Sequence, residues 1–111
     1  MYKLVFFVPV DNAEAVKQAL FDSGAGRYER YDSCSWQTQG SGQFRPLAGS
    51  TPYLGTEGHV EHVTELRVEM VCRDEVVRRA LDALIAAHPY EEPAYEIYRI
   101  YTADDLPPAL P

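Results

Sequence analysis

Residues 2–10 read YKLVFFVPV and are apolar on both faces of a strand. Side chains alternate along a strand, so Tyr2, Leu4, Phe6 and Val8 share one face while Val5 and Phe7 take the other. Such a strand needs cover on both sides. Helices can supply one cover; the second must come from elsewhere. With 111 residues the chain makes one domain with a single core, burying roughly two-thirds of its unfolded surface.

The remaining segments supply the rest of a small sheet. DNAEAVKQALFDSGAG (11–26) predicts a helix with Ala13, Val16, Ala19 and Leu20 as its apolar stripe. Asp11 and Glu14 have capping-box spacing, and Gly24 and Gly26 end the segment. RYERYDSCSWQTQG (27–40) reads as a weaker strand, with Gly40 and Gly42 marking its end. HVTELRVEMVCR (62–73) is the clearest strand. Leu66, Val68, Met70 and Cys72 face one way, and Glu65, Arg67 and Glu69 the other. DEVVRRALDALIAAH (74–88) is a second amphipathic helix, with Asp74 and Glu75 suited to its positive end and Pro89 as its stop. AYEIYRIY (94–101) is the last strand. The order β-α-β-β-α-β predicts an α+β fold of ferredoxin-like type, an antiparallel sheet with both helices on one face. Residues 1–102 form the domain, and 103–111 a tail whose DDLPPALP is extended.

An insertion, GSGQFRPLAGSTPYLGTEGHV, spans 40–60 between the second and third strands. Structureless loops of about 20 residues are uncommon in compact domains and often functional. This one also carries Phe44, Leu47, Tyr53 and Leu54, which need something to pack against. Connectivity places the first β-α turn, the insertion and the stretch HPYEEP (88–93) at one end of the domain. His59, His62 and His88 are expected at that end too.

Composition narrows the partners. A net charge of −7 without any basic run argues against nucleic acid and anionic membrane surfaces. No segment approaches the roughly 20 apolar residues of a membrane-spanning helix. The N-terminal segment has one cation and no small-residue cleavage site, and reads as a strand. Two distant cysteines, Cys34 and Cys72, form neither a disulfide framework nor a zinc motif. A cytoplasmic location with reduced thiols is the expectation.

The side chains are compatible with three kinds of chemistry. His59, His62 and His88, with the nearby glutamates, are acceptable ligands for a divalent metal, although their spacing matches no standard motif. Glu91 and Glu92 could raise one another's pKa in a shared pocket, but neighbours in an extended segment usually diverge. Neither Ser33 nor Cys34 has an identifiable base, so the chain is not expected to be an enzyme. The GAG and GSG triplets lack the GK[ST] of a phosphate loop. In HPYEEP itself, Pro89 suits a helix stop and Pro93 a strand start. His88 can cap last-turn carbonyls, and Glu91 or Glu92 can accept loop amides.

HPYEEPAYEIY (88–98), FVP (7–9), GAGRY (24–28) and YDSCSWQTQGSGQFRPLAGSTPYLGTEGHVEHVTELRVE (31–69) together resemble the domain inserted in bacterial Nif-three-like proteins. Those proteins are also called GTP cyclohydrolase 1 type 2-like. The inserted domain is similar to CutA and PII-like proteins. That resemblance implies trimers with sheets packed inward, an inter-subunit effector cleft, and a link to divalent-cation tolerance. It would explain the doubly apolar first strand and the eight tyrosines. The family's larger metal-binding core is not matched by these residues, so its chemistry does not transfer to them.

The expectation is therefore a non-catalytic homo-oligomer, a trimer first, that binds a small effector or a protein partner. Its candidate contacts are Cys34, Trp36, Phe44, Glu65, His88, Tyr90, Glu91 and Glu92. The alternative is a divalent-metal protein using His59, His62 and His88; no other cofactor is implied.

Overall fold

The computed structural model describes residues 1–111. Strand β1 (Tyr2–Pro9) leads through a 3-10 turn (Val10–Asn12) into helix α1 (Ala13–Asp22). Strands β2 (Trp36–Phe44) and β3 (Glu61–Cys72), helix α2 (Val77–Ala87) and strand β4 (Tyr95–Arg99) follow. The sheet has the order β2-β3-β1-β4, and each neighbouring pair is antiparallel. This is the expected ferredoxin-like α+β arrangement.

The core lies between the sheet and the two helices. Leu4, Phe6 and Val8 of β1 meet Val68, Met70 and Cys72 of β3, with Val16 and Leu20 from α1 and Ala80 and Leu84 from α2 above them. All these side chains are essentially inaccessible, which places the hydrophobic driving force in one layer.

The opposite face of the sheet is covered by its own long side chains. Val5 is fully buried there although no helix lies over it. Lys3 and Arg67 both reach Glu69, at 3.6 and 3.7 Å, and the Arg67 guanidinium lies 5.7 Å from the Phe7 ring centre. Aliphatic stems of charged residues thus shield an apolar strip while their heads stay in water.

Four local expectations need correction. Arg27–Ser35 is not strand. The Tyr28 N–H bonds to the Tyr31 carbonyl, and Ser33 has φ 54°. Asp32 and Ser33 favour turn geometry over pairing. The second strand begins only at Trp36 and runs through Gly40 and Gly42 to Phe44, so the connection spans 45–60. Finally, Asp11 lies inside the 3-10 turn, and α1 starts after Asn12 without any side-chain cap. Asp74 likewise turns from the α2 terminus to the amino group of Met1.

Two features fix the ends of elements. Gly26 has φ +71°, and a Cβ there would lie 2.6 Å from the Cys34 carbonyl oxygen. Only glycine fits that tight return from α1. At the far end of the sheet, the Ile100 N–H donates to the Met1 carbonyl at 3.1 Å, so both ends of the domain lie side by side. The tail makes one 3-10 turn, Ala103–Asp105, before losing regular structure.

Candidate functional site

Two of the three connections predicted at one end, the insertion and the HPYEEP corner, meet at Tyr90, while the first β-α turn follows Pro9, which pairs with Glu65. The Tyr90 ring lies 4.9 Å from that of His88, 5.8 Å from Phe44 at the end of β2, and 6.3 Å from Tyr53 in the 45–60 connection. Its hydroxyl donates to Glu65 Oε2 at 2.9 Å. Burial, with the Glu65 contact second, raises the phenol pKa well above its usual value, so Tyr90 remains a neutral donor.

His88 holds Tyr90 in place. α2 ends at Ala87, and the His88 backbone is extended (ψ 136°), as the following proline requires. The Tyr90 N–H donates to His88 Nδ1 at 3.1 Å, so that nitrogen carries no proton. Nε2 therefore bears the hydrogen and donates to the Phe7 carbonyl at 2.7 Å. One imidazole thereby ties α2, β1 and the corner together. Its burial lowers the pKa, opposed by the Phe7 carbonyl and the Glu65 charge. A second tie is Glu91, whose Oε2 accepts the Thr51 N–H at 2.9 Å.

These contacts border a cleft of about 530 Å³ between the 45–60 connection, β3 and the corner. Phe44, Tyr53 and Tyr90 form aromatic wall, Pro46, Leu47 and Leu54 aliphatic wall. Glu65, Glu91 and Glu92 contribute carboxylates, and Arg45 is the cation on its rim. Gly42, which lies inside β2, has a precise role here. A Cβ at that position would fall 1.9 Å from Glu65 Oε1. Its missing side chain is the space Glu65 occupies.

Of the expected contacts, Phe44, Glu65, His88, Tyr90, Glu91 and Glu92 gather at this end. Cys34 and Trp36 do not, which corrects the single-site expectation. Trp36 opens β2, pairing with Glu69, whereas Phe44 closes it opposite Glu61. Eight residue steps along the strand separate them by about 26 Å. Cys34 and Trp36 border another cleft, of about 440 Å³, with Lys3 and Tyr28.

The three histidines do not converge on a metal either. His62 lies on the helix-side face of β3, opposite in pleat to Glu65, and is exposed. His59 belongs to a turn with Thr56, and both ring nitrogens of His88 are already bonded to main chain. No group of three His, Cys, Asp or Glu side chains in the chain could hold a metal ion. Tyr53, noted in the sequence only as an apolar residue of the insertion, joins the site, as does the Gly42–Glu65 fit. The apolar insertion signalled Tyr53 as a packing residue, whereas the Gly42 contact depends on strand register.

Comparison with solved structures places the chain in a fold class. It superimposes on the CutA protein of Archaeoglobus fulgidus, described as a periplasmic divalent cation tolerance protein, with a TM-score of 0.65 over 93% of this chain and 87% of that one, at 20% identity. The PII-like protein CutA of Nostoc gives a TM-score of 0.67 over 96% of this chain and 86% of that one, at 14% identity. At such identities the likeness concerns the fold. Sequence similarity is more particular. The GTP cyclohydrolase 1 type 2 homologs of Mycobacterium tuberculosis and Bacillus subtilis are 46% and 41% identical over 98 residues, 88% of this chain. A Bacillus cereus protein related to NIF3 is 39% identical and superimposes over 91% of the chain with a TM-score of 0.77. The chain spans only 26% of the length of each of these three proteins. No protein-family model matches it.

Proposed function

We propose that the chain is a non-catalytic, oligomeric PII/CutA-like module that binds a small ligand or a protein partner in the Tyr90 cleft. The carrying observation is the packing of Phe44 from β2, Tyr53 from the 45–60 connection and His88 from the corner on one aromatic residue, beside a cleft of about 530 Å³. That volume falls in the usual range for small-molecule sites. A non-catalytic role is favoured because His88 spends both ring nitrogens on main-chain bonds, leaving it unable to relay a proton. Assembly, with a trimer as the first expectation, is favoured by the edge strands, β2 exposed over most of its length and β4 throughout. Both cysteines are free, which fits a reducing cytoplasm.

Native mass spectrometry of freshly purified protein addresses assembly and retained ligand together. A mass at a multiple of the 12.5 kDa chain, with extra mass lost in a Tyr90→Ala variant, is expected. A bare monomer, together with a thermal-shift screen in which no compound stabilises the protein, would remove the proposal. Elemental analysis of untagged protein separates the divalent-metal alternative: stoichiometric zinc or copper would revive it.

A further inference from the structure

We infer that the Tyr90 cleft selects an organic cation, an ammonium or guanidinium group carried on an apolar body. This rests on the reading that the cleft is the binding site, and adds the chemical class of its occupant. Glu65, Glu91 and Glu92 border the cleft against the single guanidinium of Arg45. An occupant bearing phosphate or carboxylate would meet this excess of negative charge, on a chain whose net charge is already −7. A cation meets complementary charge and, from Phe44, Tyr53 and Tyr90, aromatic faces able to attract it.

The carboxylates are oriented before any ligand arrives. Tyr90 donates to Glu65 Oε2, which leaves Oε1 as an acceptor, and Gly42 provides the space in which that oxygen sits. The Thr51 N–H holds Glu91 in the same manner. Both donors are neutral, so they fix the carboxylates without cancelling their charge. Such preorganisation lowers the ordering cost of binding. The chain's own apolar tail is a poor occupant. It carries Asp104 and Asp105 near its start, and it leaves the sheet at the end where Ile100 bonds to Met1, remote from the cleft.

The experiment titrates the full chain, labelled with nitrogen-15, against phenethylamine, phenylguanidine, 2-phenylethanol and phenylacetate. Amide shifts at Thr51 and Tyr90 report the cleft. Saturable shifts are expected with the two cations, at affinities about tenfold or more above the alcohol, and none with phenylacetate. Glu65→Gln removes charge while keeping an acceptor for Tyr90, and Gly42→Ala displaces the carboxylate while keeping its charge. Each is expected to weaken the cations about tenfold and leave the alcohol unchanged. Should either variant lose its native amide fingerprint, Glu92→Gln, at an exposed position, carries the charge comparison instead. Equal binding of alcohol or phenylacetate at these amides, or cation affinity indifferent to the variants, overturns the inference and leaves the cleft as a binding site. Silence from all four solutes at Thr51 and Tyr90 overturns both.

Discussion

The His88 imidazole is held as one tautomer, with Nδ1 accepting from Tyr90 and Nε2–H donating to Phe7. A proton added at Nδ1 would face the Tyr90 N–H and break that bond. Because the folded-state pKa lies below the usual 6.5, the unfolded chain protonates first as pH falls. This contribution to stability is complete above about pH 6.5 and declines below it, until folded His88 also takes up a proton. The charged or titratable groups beside it are Glu65 from β3 and Tyr90 from the corner, and Tyr90 stays neutral. The Asp74 and Asp105 carboxyls titrate below their usual 3.8, outside this range. Urea unfolding should therefore give a lower midpoint at pH 5.5 than at pH 7.5. The difference should shrink in His88→Ala, which should itself cost about 1–3 kcal/mol at neutral pH by orphaning the Phe7 carbonyl and the Tyr90 N–H. A wild-type midpoint that is flat across this range would contradict the tautomer assignment. Tyr90→Phe, which keeps the ring and loses the hydroxyl, should cost about 1 kcal/mol, read from the same urea curves. At this scale the sequence was half legible. Two prolines announced a corner, and Glu91 does accept a loop amide, as its position suggested. His88, expected to cap its own helix, reaches instead to a strand 81 residues away, a contact no local pattern encodes.

Elements were more legible than their boundaries. The alternation Leu66, Val68, Met70, Cys72 located β3, and the 3.6-residue stripe located α2, because both patterns report a buried face directly. β2 was misplaced because it has no such face. It is an edge strand, exposed over most of its length, so nothing apolar recurs to mark it. Its glycines suggested an ending, yet Gly42 is there to admit Glu65 from the neighbouring strand. Two substitutions probe this scale. Leu84→Ala in α2 should cost about 2–5 kcal/mol, since Leu84 is fully enclosed in the core; chemical denaturation measures it, and a loss under about 1 kcal/mol would mean that α2 packs differently. Gly26→Ala should be destabilising by more than about 1 kcal/mol, through both its φ of +71° and the 2.6 Å approach to Cys34. A neutral result would show that the return after α1 can relax.

For the whole molecule, the doubly apolar β1 posed a demand that a single chain answers only in part. Helices cover Leu4, Phe6 and Val8, while Val5 is shielded by side chains of its own sheet. The fold followed from connectivity, which needs only element order and type. The clustering at the Tyr90 end followed from the same reasoning, and the details of the cleft did not, because aromatic contacts across a loop depend on coordinates. The meeting of Ile100 with Met1 has a further consequence. A short linker joining these two points would close the chain at little cost in loop entropy, because that cost grows with the separation to be spanned.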